Sequence, residues 1–379
     1  MSEKGEAARI GCLDGLRGLA ALWVLVGHAH ILTGFHLPVI GDPDLGVDLF
    51  IMLSGFLMVF HYQLREAKEP WLEPETWKKF WLRRFFRIAP LYYVLLVAAF
   101  ALGPMLYDAR MVIDHFNGVP QQAASRYIDG SFQNFLAHET FFFGLIPTYS
   151  FSTPLPDWSI GLEMQFYVAL PFMMILVKRL LWFTAIAASV ALAAGICIVM
   201  RLAHISFPMP TFLPLKWHVF AVGMLCAAAL SMDRRGLMAS LAVSLILILS
   251  PIGGQEGLKH EVVRVGLVLV LFSLIHHRRL PSIVSTTVGR VSDELGNRFF
   301  HRLGELSFGA YLIHLLIMQP VIAFLITHFT FSNHMRFAIA LLATVPVVYF
   351  LSWLGYLFVE IPGQKLGRAL TRPTVTAAR

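Results

Sequence analysis

One apolar run near the start of the chain carries the residue types best suited to chemistry. It reads Leu13-Asp14-Gly15-Leu16-Arg17-Gly18-Leu19-Ala20, then Gly27-His28. An ionisable side chain inside a membrane span costs about 2.5–3.5 kcal/mol on insertion scales, so each one is a candidate for function. Arg17 and His28 are eleven residues apart. At 3.6 residues per turn that is close to three whole turns, so both share a helix face, with the imidazole about 16 Å beyond the guanidinium. Asp14 lies one turn before Arg17 on nearly the same face. The plainer account makes Arg17 an interfacial cation and His28 a packed core residue. The shared face favours function.

Other runs supply possible partners. The second opens Gly46-Val47-Asp48-Leu49-Phe50 and continues Leu53-Ser54-Gly55-Phe56. The link from the first is short, so the two helices are expected as antiparallel neighbours. His28 and Asp48 flank Pro38 by about ten residues each, which predicts similar depth. A carboxylate there would fix the imidazole tautomer for general-base work. The competing reading makes Asp48 a helix-start residue. Arg83-Arg84-Phe85-Phe86-Arg87 falls between the second and third runs. Clustered Arg suits phosphate, and equally suits an anionic-lipid anchor. In the fourth run Glu163 and Tyr167 share a face, and Trp158 is either a ligand contact or an aromatic-belt residue. In the ninth, Ser307, Tyr311 and His314 line one face, with interhelical hydrogen bonding the simpler account for the first two. Glu360 and Pro362 read as a helix stop. No phosphate loop, nucleophile elbow or zinc signature is present.

The elements that must position these residues are membrane helices. The chain has 379 residues, 57% hydrophobic and 14% charged, with 31 Phe and 8 Trp. An average soluble domain carries about 25% charged residues, and disordered chains are poor in aromatics. The expectation is an all-α polytopic membrane protein. Apolar runs fall at about 15–35, 45–63, 88–107, 160–177, 180–200, 212–231, 237–252, 262–276, 304–327 and 336–359. Each approaches bilayer length, the seventh and eighth least well. About ten transmembrane helices with both termini cytoplasmic put 23 Lys and Arg on the cytoplasmic side and 7 on the other, as the positive-inside rule asks. That accounts for the net charge of +7 without a nucleic-acid partner. Residues 1–372 are read as one transmembrane domain and 373–379 as a short cytoplasmic tail. The first run contains Arg17, His28 and His30 and lacks a small-x-small cleavage site, so it reads as a retained helix. The aromatic-rich loop at about 108–157 is expected as an interfacial plug or a lid. Cys12, Cys197 and Cys226 lack metal or redox spacing and are expected to pack as small apolar residues.

Taken together and in order, these motifs resemble the membrane acyltransferase family 3. The resemblance rests on L-D-G-L-R-G, the Arg17–His28 spacing, G-V-D-L-F, L-S-G-F, Arg84-Phe85-Phe86-Arg87, W-S-I-G-L-E-M-Q-F-Y, the Tyr311-to-His314 segment and V-E-I-P, from about residue 12 to 362. It implies a multi-pass inner-membrane enzyme that transfers acyl groups, often acetyl, to hydroxyls of envelope glycans or small secreted molecules. It implies acyl-CoA, acetyl-CoA first, as a cytoplasmic donor substrate rather than a permanently bound cofactor. The family's Arg-x10-His pair falls on Arg17 and His28, and its Arg-x-x-Arg pair on Arg84 and Arg87. Some relatives add an extracytoplasmic esterase-like domain, and a chain stopping after the tenth span argues against that two-stage design here.

The combined expectation is a catalytic group of His28, Arg17 and Asp48. Arg84 and Arg87 bind the donor, Trp158, Glu163, Tyr167 and His314 contact substrate, and no metal is used. The partners are acyl-CoA, a carbohydrate or small-molecule hydroxyl acceptor, and membrane lipids. His28 would act as general base or as a covalent acyl relay. The competing class is a secondary transporter with midplane charges, which predicts broken helices and an internal repeat. A membrane scaffold leaves His28 and Glu163 unexplained.

Overall fold

A chain this apolar satisfies its backbone in a bilayer only by closing hydrogen bonds within each segment. A computed structural model of the protein describes residues 10–254 and 257–372, and among these it is helical with no strand. Lys4, Arg9 and the tail 373–379 lie outside the described residues. The elements are α1 Cys12–Thr33, α2 Pro43–Arg65, α3 Pro74–Asn117, α4 Ser125–Ile128, α5 Phe132–Glu139, α6 Trp158–Leu180, α7 Trp182–Leu202, α8 Leu213–Ala228, α9 Arg234–Ile248, α10 Leu258–Ile275, α11 Ser282–Leu295, α12 Arg298–Glu305, α13 Ser307–His328, α14 Asn333–Gly355 and α15 Ile361–Leu370. Proline opens α2, α3 and α8, where its missing N–H costs nothing. Ser131, Asp233, Asn297 and Ser332 cap α5, α9, α12 and α14 through their side chains.

Eight helices among the described residues are long and apolar enough to cross a membrane. The shortfall from ten lies in α9 and α10, the two weakest runs. α9 has 15 residues. α10 has 18, with Lys259, Glu261 and Arg264 among them. The pair still runs the height of the bundle. The turn between them meets the end of α7, where Arg201 donates to the Pro251 carbonyl at 3.1 Å. His260, at the start of α10, pairs with Asp42 before α2 at 3.2 Å. α7 shows the lipid-facing pattern outright, with Leu192, Ile198, Val199 and Leu202 all more than half exposed. The protein is a multi-pass membrane protein.

Two expected boundaries move. α3 has 44 residues, about 66 Å of helix against a hydrocarbon core of about 30 Å. It therefore absorbs the Arg83–Arg87 segment, expected as a loop, and all of 108–117, the start of the loop expected at 108–157. At the other end the helix does not stop at Glu360. A π-helical turn over Tyr356–Glu360 feeds directly into α15, and Pro362 occupies the first turn of that helix. Proline is tolerated there because the first-turn N–H needs no intrahelical partner.

The helix ends sort into two sets. At one end α1 starts against α11 and α12, and α15 lies on Phe86 of α3. Arg279 there donates to the carbonyls of Ala229, Leu230 and Met232. At the opposite end Arg336 reaches the Thr33 and Phe331 carbonyls, and Asn117 reaches Leu32. Helices α2 and α8 make the tightest crossing. A Cβ on Gly223 would sit 1.9 Å from the Met52 carbonyl oxygen, and one on Gly55 would sit 2.3 Å from that of Phe220. Small residues let membrane helices approach this closely. The crossing holds Asp48 on α2 against Lys216 on α8.

Candidate active site

Helix α1 is regular from Cys12 to Thr33, so Arg17 and His28 stand three turns apart as its spacing requires. Each meets a different set of partners.

Arg17 lines a cavity of about 350 Å³ at the end of the bundle where α1 begins. Asp14 of α1, Arg84 and Arg87 of α3, Glu163 and Tyr167 of α6, and Ser54 and His61 of α2 complete its polar lining. Five sequence-predicted site residues thus converge from three helices. Tyr167 donates to Glu163 Oε1, and the Ser54 hydroxyl donates to the same oxygen at 3.1 Å. The Arg84 guanidinium sits over the rings of Phe80 and Tyr167, 5.8 and 5.7 Å from their centroids, and its Nη2 lies 3.5 Å from His61 Nδ1. A second recess of about 160 Å³ adjoins, sharing His61, Arg84 and Arg87 and adding Arg65, Arg83 and Arg368. Arg83 is held by Glu69 through two bonds of 2.9 and 2.7 Å. Burial pushes the Glu69 carboxyl up, but the hydrogen bonds and charge of Arg83, with Arg65 and Lys79 nearby, outweigh it and leave it below the ordinary carboxylate range. Several guanidinium groups beside one cavity can take a polyanion such as a chain of phosphates.

His28 meets His314 of α13. His28 Nδ1 lies 3.2 Å from His314 Nε2, with ring centroids 4.8 Å apart. The tautomers follow from the partners. His314 Nδ1 lies 2.6 Å from the Tyr311 carbonyl oxygen, which can only accept. In a neutral ring His314 Nδ1 therefore carries the proton and Nε2 accepts. The donor across the 3.2 Å contact is then His28 Nδ1, which also faces the Val24 carbonyl at 2.9 Å. His28 Nε2 keeps its lone pair and has no hydrogen-bond partner among the described residues. An imidazole held in one tautomer with a free Nε2 is suited to take a proton.

Asp48 does not serve His28, contrary to the expectation from the short α1–α2 link. Its oxygens are held by Lys216 Nζ at 2.8 Å and Arg264 Nε at 2.6 Å, and it is fully buried. The α2–α8 crossing turns that face of α2 toward α8 and α10. Lys216 and Arg264 are among the seven cations that the charge count puts opposite the cytoplasm. Both lie inside the bundle, as do Arg126 and Arg336. For Lys216, Arg264 and Arg336 the missed signal was a charge within or beside an apolar run. Trp158 is not in the Arg17 cavity either. It is buried at the start of α6, next to Ser159, whose hydroxyl lies 2.8 Å from the Tyr311 hydroxyl. Among the described residues the Ser307 hydroxyl bonds the nearby Gly304 carbonyl. Among the described residues no group of three or more His, Cys, Asp or Glu is placed to hold a metal ion.

A multi-pass helical membrane protein with an arginine-lined cavity at one end and, toward the other, a half-buried histidine paired with a buried one defines the class. The family model Acyl_transf_3, described as an acyltransferase domain, matches residues 10–353, and the chain belongs to that family. It is similar to the peptidoglycan O-acetyltransferase OatA of Listeria monocytogenes, 28% identical over 44% of this chain and 24% of the relative. It is similar to the putative membrane-bound transacylase BcsY of Komagataeibacter xylinus, 32% identical over 48% of this chain and 43% of the relative. It also resembles the regulator of hypoxia-inducible factor 1 of Caenorhabditis elegans, 30% identical over 52% of this chain and 36% of the relative. These matches span less than half the length of each relative. No solved structure matches.

Proposed function

We propose that the protein is an integral inner-membrane acyltransferase moving an acyl group, acetyl first, from cytoplasmic acyl-CoA to a hydroxyl of a carbohydrate such as an envelope glycan. The observation that carries this reading is the meeting of Arg17, Arg84 and Arg87 on one cavity, at the end of the bundle that the charge count assigns to the cytoplasm. The donor's phosphates bind there, and its flexible arm rises along α1 toward His28.

His28 Nε2 removes the acceptor's hydroxyl proton as that oxygen attacks the thioester carbonyl. A carbon–oxygen bond forms, the carbon–sulfur bond breaks, and the CoA thiolate leaves and takes up the proton His28 accepted. His314 acts as a positioning residue, holding the His28 tautomer through the Nδ1 contact. Membership of an acyltransferase family and similarity to a named O-acetyltransferase support the same reading.

The test is release of free CoA thiol from acetyl-CoA by purified protein with a panel of glycan hydroxyl acceptors. Acceptor-dependent release with a matching acetylated product is expected. No release, with solute uptake into proteoliposomes instead, would sink the reading in favour of a transporter. An extracytoplasmic-only reporter fused after Arg379 should stay silent if both termini are cytoplasmic.

A further inference from the structure

Arg126 is the single Lys or Arg between residues 118 and 157. It stands on the short helix α4 and is only 7% exposed. Its neighbours fix its place. Gly103 of α3 lets α4 come so close that a Cβ there would sit 2.1 Å from the Tyr127 carbonyl oxygen. The Tyr127 hydroxyl donates to Gln319 Oε1 at 3.1 Å. Gln319 lies on α13 five residues beyond His314, about 7.5 Å along the helix. Helix α4 is thus clamped between α3 and the helix that carries half of the histidine pair. Arg126 Nε donates to the Thr153 carbonyl at 3.4 Å, and the guanidinium lies 3.7 Å from the centroid of the Phe151 ring.

These contacts leave most of the guanidinium unused. Among the described residues Arg126 forms no ion pair, and its Nη1 and Nη2 have no hydrogen-bond partner. Neither Nη is sealed from solvent, and neither is His28 Nε2. Asp157 and Asp114 are near enough to act on the guanidinium through space, but each is engaged by other groups. Asp157 accepts from Tyr92 and Thr153 at 3.0 and 2.9 Å, with His138 at 3.7 Å. Asp114 holds Arg110 at 2.7 Å. Arg126 and Arg110 are the cations whose charge reaches His28. Since Arg110 is paired, the uncompensated charge beside His28 is that of Arg126. A buried cation is costly without a partner, and open N–H groups held in place are donors kept for a group that arrives later.

The geometry points to Arg126 as a further catalytic residue, whose Nη–H groups receive the acyl carbonyl oxygen while His28 Nε2 takes the acceptor's proton. This rests on the acyltransferase reading and supplies the cation that its charged intermediate needs. As the acceptor oxygen adds to the thioester carbon, the carbonyl π pair moves onto its oxygen, which becomes an oxyanion. When the carbon–sulfur bond breaks, that pair re-forms the carbonyl and the thiolate leaves with the negative charge. The guanidinium meets a full charge only in the intermediate. Stabilisation there raises kcat without tightening donor binding. Arginine suits the place because it stays charged when buried.

The experiment follows acceptor-dependent release of CoA thiol from acetyl-CoA by purified full-length protein, with kcat, donor KM and melting temperature all recorded. Arg126→Gln keeps a planar donor for the Thr153 carbonyl but loses the charge. Its kcat should fall about 10²–10³-fold, the usual loss for one oxyanion donor, with donor KM and melting temperature near wild type. Arg126→Lys keeps the charge and should retain more turnover than Arg126→Gln. Methylguanidinium in the assay should restore part of the turnover of Arg126→Ala. A kcat for Arg126→Gln above about a tenth of wild type, short of the low end of that range, would overturn the assignment. So would a lowered melting temperature with turnover per folded molecule intact, which makes Arg126 a strap for its loop. A raised donor KM with kcat intact would overturn it as well, and place Arg126 in donor binding. Wild-type protein that releases no thiol sinks the acyltransferase reading itself, and this assignment with it.

Discussion

His28 Nδ1 and His314 Nε2 lie 3.2 Å apart across α1 and α13, although 286 residues separate them in the chain. Both Nδ1 atoms face backbone carbonyls of their own helices, at Val24 and Tyr311. The backbone thus fixes which nitrogen of the pair donates and which accepts. A carboxylate is not needed for that purpose, and Asp48 is engaged elsewhere.

His28→Ala removes the base without adding bulk. Turnover per folded molecule should fall about 10²–10⁴-fold, the usual loss for a general base, with accumulation and melting temperature near normal. His314→Phe should lower kcat less, leave the donor KM unchanged and displace the pH–rate profile, because the Val24 carbonyl still holds the His28 proton. If His28→Ala keeps more than about a tenth of wild-type turnover, below the low end of that range, the base lies elsewhere.

Arg87→Lys keeps the charge but loses the planar two-pronged donor. A rise of about tenfold in apparent KM for acyl-CoA is expected, at near-normal protein levels. An unchanged KM with normal turnover would assign Arg87 to lipid contact instead.

Asp48→Asn removes the carboxylate that the buried Lys216 and Arg264 share. Breaking a buried ion pair from one side costs about 3–5 kcal/mol, so accumulation in membranes and melting temperature should both drop. Adding Lys216→Met should recover part of that loss, because the buried ammonium that Asp48 held is then gone. A stable Asp48→Asn protein with a specific kinetic defect would restore Asp48 to the catalytic group.

The Glu69 carboxyl is held below its ordinary range against burial by Arg83. A depressed folded value means the contribution to stability is present above the unfolded value and disappears as pH falls through the folded one. The melting temperature of wild type should exceed that of Glu69→Gln above about pH 5, and the gap should close as pH drops below the ordinary Glu range near about 4.3. A gap independent of pH would mean that ionisation of Glu69 contributes nothing.

The sequence by itself determined the class of the protein and half of its candidate site. Apolar runs of bilayer length must become helices because lipid offers their backbone no other partner, so α1, α2, α6, α7, α8, α13 and α14 were legible from hydropathy. The Arg17–His28 face was legible too, since a regular helix converts spacing directly into direction. The extents of α3 and of the α14–α15 segment were not, because a polar helix continuing beyond the bilayer leaves no hydropathy signal. Partner choice was the deeper omission. Which helix faces which depends on close approaches such as Gly55 and Gly223 at the α2–α8 crossing, and these join residues far apart in the chain. Only that packing sent Asp48 to Lys216 and Arg264, and only the α1–α13 contact gave His28 its partner in His314. Local spacing fixes a side chain's direction around its own axis. The group it meets is decided by how the axes cross.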